Sequence, residues 1–407
     1  MSDPREGSEF FLSVPAKLDD PFPDLAYFRE HRPIFYYPPL QSWFVFRFDD
    51  VSALFHDPRL SADRMKGFVD AAPAEVREEL RQISPHFETW VLMKDAQEHT
   101  RLRKTLNLGF NPAQVHRLVG PIQRIVDELL DGVLTRGRFD GSGDFALLLP
   151  AYVLSDFLGV PAEDRPKILQ WSVDFVDFFN VVPITVENSR RVIDSGLALM
   201  DYTRRLLAQR RTHARDDFLG TLAAAQTRGE DLTEEEIIGN TLFLLLAGHL
   251  AVRNLIGNAI YLLLTQPDQW AALQADPTLL HNAIEETLRY EPPVTLIPRV
   301  AGEDFHWQGE LIRHGQIVQL SIASANRDSA HFADGERFDI SRPPGKHLSF
   351  GFGPHGCLGA TLAREQARIA LTTLFRRMPG LRLDERRPIQ WYRNAGNRGP
   401  TTLPLVF

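Results

Sequence analysis

Residues 350–359 read Phe350-Gly351-Phe352-Gly353-Pro354-His355-Gly356-Cys357-Leu358-Gly359, and the thiol they carry is the single cysteine of a 407-residue chain. Glycines at 351, 353, 356 and 359 permit backbone angles and close approaches that a side chain forbids, so the stretch suits a tight loop offering a sulfur to something large and flat. A lone cysteine is ordinarily a small buried hydrophobe, but an inert core thiol needs no glycine frame. Downstream, Leu362, Ala363, Ala367, Ala370, Leu371 and Leu374 recur at helical spacing and predict a helix over Ala360 to Met378. A thiol at the mouth of a helix N-terminus has its anion favoured by the macrodipole and free N–H groups. The sulfur is poised to ligate a metal.

Working outward, 43% hydrophobic residues over 407 positions permit one large core, and no linker divides residues 1–407, so one catalytic domain is expected. A lone cysteine excludes an internal disulfide framework, and Met1 to Pro15 lacks the basic and apolar runs of a secretion signal, so a cytoplasmic location is expected. The most apolar stretch, Ile238 to Leu264, contains His249 and Arg253 and reads as a buried helix, not a membrane anchor. Forty-five basic against 53 acidic residues leave a charge of −8 and argue against nucleic-acid binding. No phosphate-binding or dinucleotide-binding glycine motif is found, so no flavin module fits and electrons must come from a separate protein.

Periodicity predicts a mainly α fold with minor β: a hairpin within 33–48, a helical core over 96–290 and 357–378, and strands within 294–320. The longest helix starts near Thr233, whose side chain can form a capping box with Glu236, and runs to Thr265 before Gln266-Pro267. Glu286 and Arg289 stand three apart on one helical face.

The pattern Phe-x-x-Gly-x-x-x-Cys-x-Gly before a helix resembles the haem-binding loop of cytochromes P450, of the bacterial type that tailors secondary metabolites. That resemblance implies haem b (iron protoporphyrin IX) between the long helix and the cysteine loop, with Cys357 as iron ligand framed by Phe350, Gly351 and Gly359. Glu286 to Arg289 is similar to the family's Glu-x-x-Arg helix, whose third, structural member would be Arg342 or, second, Arg337. His99, Arg103, Arg299 and His355 match the groups that hold the haem carboxylates, and His347 is a further candidate.

The long helix carries Ala247-Gly248-His249-Leu250-Ala251, similar to the stretch over the oxygen-binding face, where Gly248 would leave room for a distorted backbone and dioxygen. The positions that usually hold an acid and a hydroxyl are Leu250 and Ala251, neither of which can give up a proton. Three readings stay open: substrate or water completes the proton path; the oxidation is atypical, such as coupling, ring formation or dehydrogenation; or peroxide replaces dioxygen. His249 occupies a variable position that often faces away. A pocket for a medium-sized hydrophobic or aromatic substrate would include Trp90, Val91, Phe178, Phe179, Phe243, Leu250, Val294 and Ile297.

The family's activity implied here is a monooxygenase reaction with dioxygen and electrons from a ferredoxin or flavodoxin and its reductase. Docking would use Arg101, Lys104, Lys346 and Arg364. Two other classes compete: a haem-binding sensor without turnover, and an ordinary helical enzyme with a structural thiol.

Overall fold

The computed structural model describes residues 10, 12, 14–65, 69, 72–180 and 185–407; the reading of Met1–Pro15 falls largely outside them. Strands β1 (Ile34–Tyr37) and β2 (Ser42–Val45) form the expected hairpin over Pro38–Leu40, pairing Ile34 with Val45 and Tyr37 with Ser42. Chain order continues with β3 (Leu60–Ser61), β4 (Arg138–Asp140), β5 (Leu296–Ala301), β6 (Phe305–Trp307), β7 (Glu310–Ile312) and β8 (Ile317–Ser321). β1, β2, β8, β5 and β3 lie in that order in one sheet, so the two strand-rich stretches of the sequence meet in a single layer. β2 and β8 run parallel, and β5 pairs antiparallel with β8 and β3. Toward the chain end, β9 (Arg382–Leu383), β10 (Gln390–Trp391), β11 (Pro400–Thr402) and β12 (Pro404–Val406) build two smaller sheets, one of which incorporates β4.

Helices make up the rest, arranged around Glu234–Thr265. Its capping box forms as the sequence predicts: Thr233 Oγ1 accepts from the Glu236 N–H at 3.1 Å, and Glu236 Oε2 accepts from the Thr233 N–H at 2.9 Å. Among the described residues this is the one helix long and apolar enough to cross a membrane, but most of it is buried against other helices, as befits a core helix. Asn254 and Asn258, fully buried, donate to the Pro293 carbonyl at 3.4 Å and to the Glu291 and Arg398 carbonyls at 2.9 and 3.1 Å, strapping the helix to both ends of the sheet region. Within the helical core, a wide π turn over Gly141–Ala146 leads into the helix Leu148–Leu158.

Glu286 and Arg289 form a fully buried two-pronged pair, with Arg289 Nε and Nη2 each 2.7 Å from a carboxylate oxygen. Arg289 also donates to the carbonyls of Asn326, Gly335 and Arg337 at 2.7–2.8 Å. Arg342 Nε reaches Glu286 Oε1 at 3.4 Å, whereas Arg337 contributes only its backbone carbonyl. From Asn326 the connection runs on to the cysteine loop: Asn326 Oδ1 accepts from the Leu348 N–H, and its Nδ2 donates to Ser349 Oγ, both at 2.8 Å.

Replacing Glu286 by Gln strands a buried guanidinium and is expected to destabilise the fold by about 3–5 kcal/mol. Arg342→Ala, which removes a longer and more solvent-screened contact, should cost under about 1 kcal/mol. Urea unfolding midpoints of the two variants check the ranking; equal losses would refute it.

Candidate active site

The glycines of the cysteine loop divide into two kinds. Gly351 and Gly353 take φ of +67° and +73°, the left-handed region that penalises any side chain, and Gly353 also lies against the His56 ring, 3.0 Å from where a Cβ would sit. The Cys357 N–H donates to the Phe350 carbonyl at 2.7 Å, closing the loop beneath the sulfur. The helix begins only at Ala360, so the helix end is represented at the sulfur by the Gly359 N–H alone. Protein packed around the thiol pushes its pKa up, and the Gly359 bond and the charges of Arg103 and Arg364 only partly offset this. The expectation of a thiolate favoured by the helix end is therefore corrected: burial outweighs the help that the Gly359 N–H gives. By surface area Cys357 is nonetheless exposed.

A matching accessible patch lies on the central helix. Most of its neighbours are buried, but Ala247 is exposed and Phe243 and Ala251 are half-buried, at four-residue spacing along one face. Leu250 is 5% exposed and off that stripe. Gly248 does not serve the role expected of it: the helix runs uninterrupted, and a Cβ there would lie 3.2 Å from Leu154 of the Leu148–Leu158 helix. Its smallness lets two helices approach instead. His249 also points away, with Nδ1 2.7 Å from Ser172 Oγ and Nε2 2.9 Å from the Leu147 carbonyl. Burial pushes its pKa down to about 4, so it stays neutral.

Cations gather near the sulfur. Arg299, on β5, is 3% exposed, donates to the Pro298 carbonyl, and is held down to about 10 by burial. The rings of His99 and His355 lie 4.1 Å apart. Burial and then the neighbouring His99, Arg299 and Arg103 press His355 down to about 3. Arg103 is half-buried near the sulfur, and burial lowers its pKa. Two members were missed in the sequence. Arg64, beside Arg299, is likewise held down to about 10 by burial, and Asp95 accepts from the Ala62 N–H at 3.0 Å and lies 3.8 Å from His355 Nε2. Only the pairing of β3 with β5 brings Arg64 here, and no spacing rule reveals it.

Other assignments need revision. His347 is not in this group: its Nε2 faces Glu285 at 3.3 Å, on the carboxylate that Arg364 grips at 2.7 and 2.8 Å. Burial alone would raise the Glu285 carboxyl, but Arg364 and His347 hold it down at about 2. Arg364 is thus neutralised, as is Arg101, whose guanidinium pairs with Glu236. Lys104 and Lys346 remain exposed.

Of the predicted pocket residues, Trp90, Phe179 and Phe243 come together, with ring centroids 5.3 and 5.4 Å from the indole. Phe178 stands edge-on to Phe179 at 5.2 Å, and Val91 is buried beside the indole. Val294 and Ile297 are half-buried at the start of β5, where Val294 bridges to Asn397.

The residues present fit an anionic group bound beside the sulfur. Arg64, Arg103 and Arg299 gather near Cys357 with two carboxylates recorded among them, Asp63 beside Arg64 and Asp95 beside Arg299, so positive charge is left over for the carboxylates of a ligand.

A glycine-framed thiol leading into a helix that packs on the long central helix defines the class. The cytochrome P450 family model matches residues 167–379, and the chain belongs to that family. It is 34% identical over 401 residues to the polyketide biosynthesis cytochrome P450 PksS of Bacillus subtilis (strain 168), covering 95% of both chains. It is 33% identical over 371 residues to the mycinamicin IV hydroxylase/epoxidase of Micromonospora griseorubida, covering 90% of both. A crystal structure of P450BioI in complex with hexadec-9Z-enoic acid ligated acyl carrier protein superposes with a TM-score of 0.87 at 31% identity, covering 96% of this chain and 99% of that one. Membership makes the protein an oxidoreductase that uses haem iron and dioxygen, takes a small-molecule substrate and needs a redox partner.

The placement of His249 yields a pH test. Its folded pKa of about 4 lies below the unfolded 6.5, so the unfolded chain binds the proton more readily and stability is lost as pH falls from above 6.5 toward 4. Between pH 7 and pH 5 this residue should cost the wild type about 2 kcal/mol that His249→Gln does not lose. Urea midpoints at the two pH values check it; a wild-type-to-variant difference independent of pH would contradict it.

Proposed function

We propose that this protein is a haem-thiolate monooxygenase that oxidises a medium-sized hydrophobic or aromatic secondary metabolite, as one soluble, cytoplasmic catalytic domain. Its electrons would come from a separate ferredoxin or flavodoxin with its reductase, with no flavin in this chain. The observation that carries the reading is the accessible sulfur of Cys357 beside a cluster of buried cations with too few carboxylates to balance them. The names of PksS and of the mycinamicin hydroxylase support the substrate class.

Haem b, when bound, supplies dioxygen activation and the oxidising chemistry. Cys357 would be the residue that holds its iron, giving up its proton to do so, with the Gly359 N–H moderating the charge on the sulfur and Phe350 and Gly351 shaping the turn. Arg103, Arg299, His99 and His355, with Arg64, hold the carboxylates of the group. On the opposite side, Ala247 and Ala251 present only methyl groups, leaving space and supplying no proton. Leu250 is equally inert, and His249 is held by Ser172 and Leu147 on the far face. Protons must therefore be brought by the substrate or by ordered water. The same inert stripe favours a second reading, an oxidation such as coupling, ring formation or dehydrogenation, in which proton delivery to oxygen matters less.

The reduced carbon monoxide complex of the wild type should absorb at the long wavelength given by thiolate ligation, and Cys357→Ala should abolish that band. Persistence of the band in the variant, or its absence in haem-loaded wild type, would end the proposal. Ala251→Thr should retain haem fully and change the share of NADPH electrons that reach product; no change in that share would count against the account of proton supply.

A further inference from the structure

Trp90 is 1% exposed, and among the described residues its Nε1–H has no hydrogen-bond partner. A buried indole N–H normally finds an acceptor, because leaving it unpaired forfeits its hydration without compensation. The surroundings explain why no protein group supplies one. Phe87, Phe179 and Phe243 wall the indole in, with centroids 5.1, 5.3 and 5.4 Å away. Their planes are tilted 38–55° to it, not the near-perpendicular arrangement in which an N–H points into a ring face.

Asn240, on the facing helix, spends its carboxamide on backbone groups instead. Asn240 Oδ1 accepts from the Val91 N–H at 2.8 Å, and Asn240 Nδ2 donates to the Thr89 and Glu236 carbonyls at 2.9 and 2.8 Å. These bonds grip the backbone on both sides of Trp90 and fix the residue against the central helix. The donor is therefore held in place, not free to swing toward a partner. It also stands beside Phe243, the first residue of the accessible stripe that continues through Ala247 and Ala251.

We infer that Trp90 Nε1–H is a specificity-determining donor, and that the substrate carries a carbonyl or ether oxygen on the ring-bearing portion that lies against Phe179 and Phe243. This deepens the proposed function and rests on it. An aromatic cage alone accepts any flat hydrocarbon of suitable size; a fixed, unpaired donor inside it penalises ligands that cannot answer it. The preference sets the substrate's orientation over the stripe as well as its identity.

The test uses haem-loaded protein and pairs of probes that differ by one oxygen: fluorenone against fluorene, and benzophenone against diphenylmethane. Dissociation constants come from equilibrium dialysis, which needs no spectral change. Wild type should bind each ketone about three- to tenfold more tightly than its hydrocarbon, the range expected of one net hydrogen bond. Trp90→Phe should abolish the preference while leaving hydrocarbon affinity within about twofold, since the ring is kept and only the donor is lost. Equal affinities within each pair in wild type, a preference that survives in Trp90→Phe, or binding of neither member of either pair would overturn the inference. The reduced carbon monoxide band of the same samples separates this from the parent reading: a missing band in wild type defeats the haem-thiolate assignment, whereas a normal band with no ketone preference defeats only the role of Trp90.

Discussion

The guanidinium of Arg289 has five N–H bonds, and all five are used: two on the carboxylate of Glu286 and three on the carbonyls of Asn326, Gly335 and Arg337. Burying an arginine is costly unless every donor is answered, and here three of the five answers come from segments that have no regular secondary structure of their own. The stretch from 326 to 349 would otherwise be a long irregular chain with little to order it. Because Asn326 accepts from Arg289 through its carbonyl and binds Leu348 and Ser349 through its side chain, the position of one charged group is handed directly to the loop that carries Cys357. Gly335 is part of the same requirement: a Cβ there would stand 2.4 Å from the Arg327 carbonyl, so the turn that delivers its own carbonyl to Arg289 admits no side chain.

The site that this scaffold positions is governed by a contest between burial and charge. Burial raises the thiol of Cys357 and lowers Arg64, Arg103, Arg299, His99 and His355. Every shift runs against the charged form, as it must where ionisable groups are taken out of water without partners. A ligand that brings a positive centre to the sulfur and two carboxylates to the cations reverses all of them together. Cofactor binding and fold stability are thus coupled through the same residues, and the strain is concentrated where binding relieves it.

Features set by local periodicity were legible in the sequence, and those set by tertiary meeting were not. The central helix announces itself through its apolar run and through Thr233 and Glu236, whose capping box needs only a three-residue spacing. Glu286 and Arg289 are legible for the same reason. Asp95 was invisible because its partners, Ser61 and Ala62 on one side and His355 on the other, come from two distant segments, and Asn240 because its carboxamide looks like any polar residue on a helix until the Trp90 segment is laid across it. Gly248 was misread because a glycine beside a reactive centre invites a chemical explanation, when the contact it permits is with Leu154 on the opposite side. Arg364 and Arg101 looked like free surface charge because nothing local revealed Glu285 and Glu236 as their partners.

The central helix divides its faces by function, and the division bears on how the reaction runs. One face, through His249 and Arg253, is polar and engaged: His249 with Ser172 and Leu147, and Arg253 with Ser142, Tyr392 and Thr401, while Asn254 and Asn258 further along the helix donate to Pro293, Glu291 and Arg398. These groups hold the helix and release nothing. The other face, Phe243, Ala247 and Ala251, is accessible and carries no exchangeable proton. Under the proposed function, that arrangement would place rigidity in the polar face and leave proton supply to whatever occupies the site. Activity would then depend on the substrate being held in a single pose, because a group that must both react and relay protons cannot do so from several. The aromatic cluster around Trp90, whose backbone Asn240 fixes, would supply that constraint and so tie the lack of an acid on one helix to the rigidity of the segment beside it.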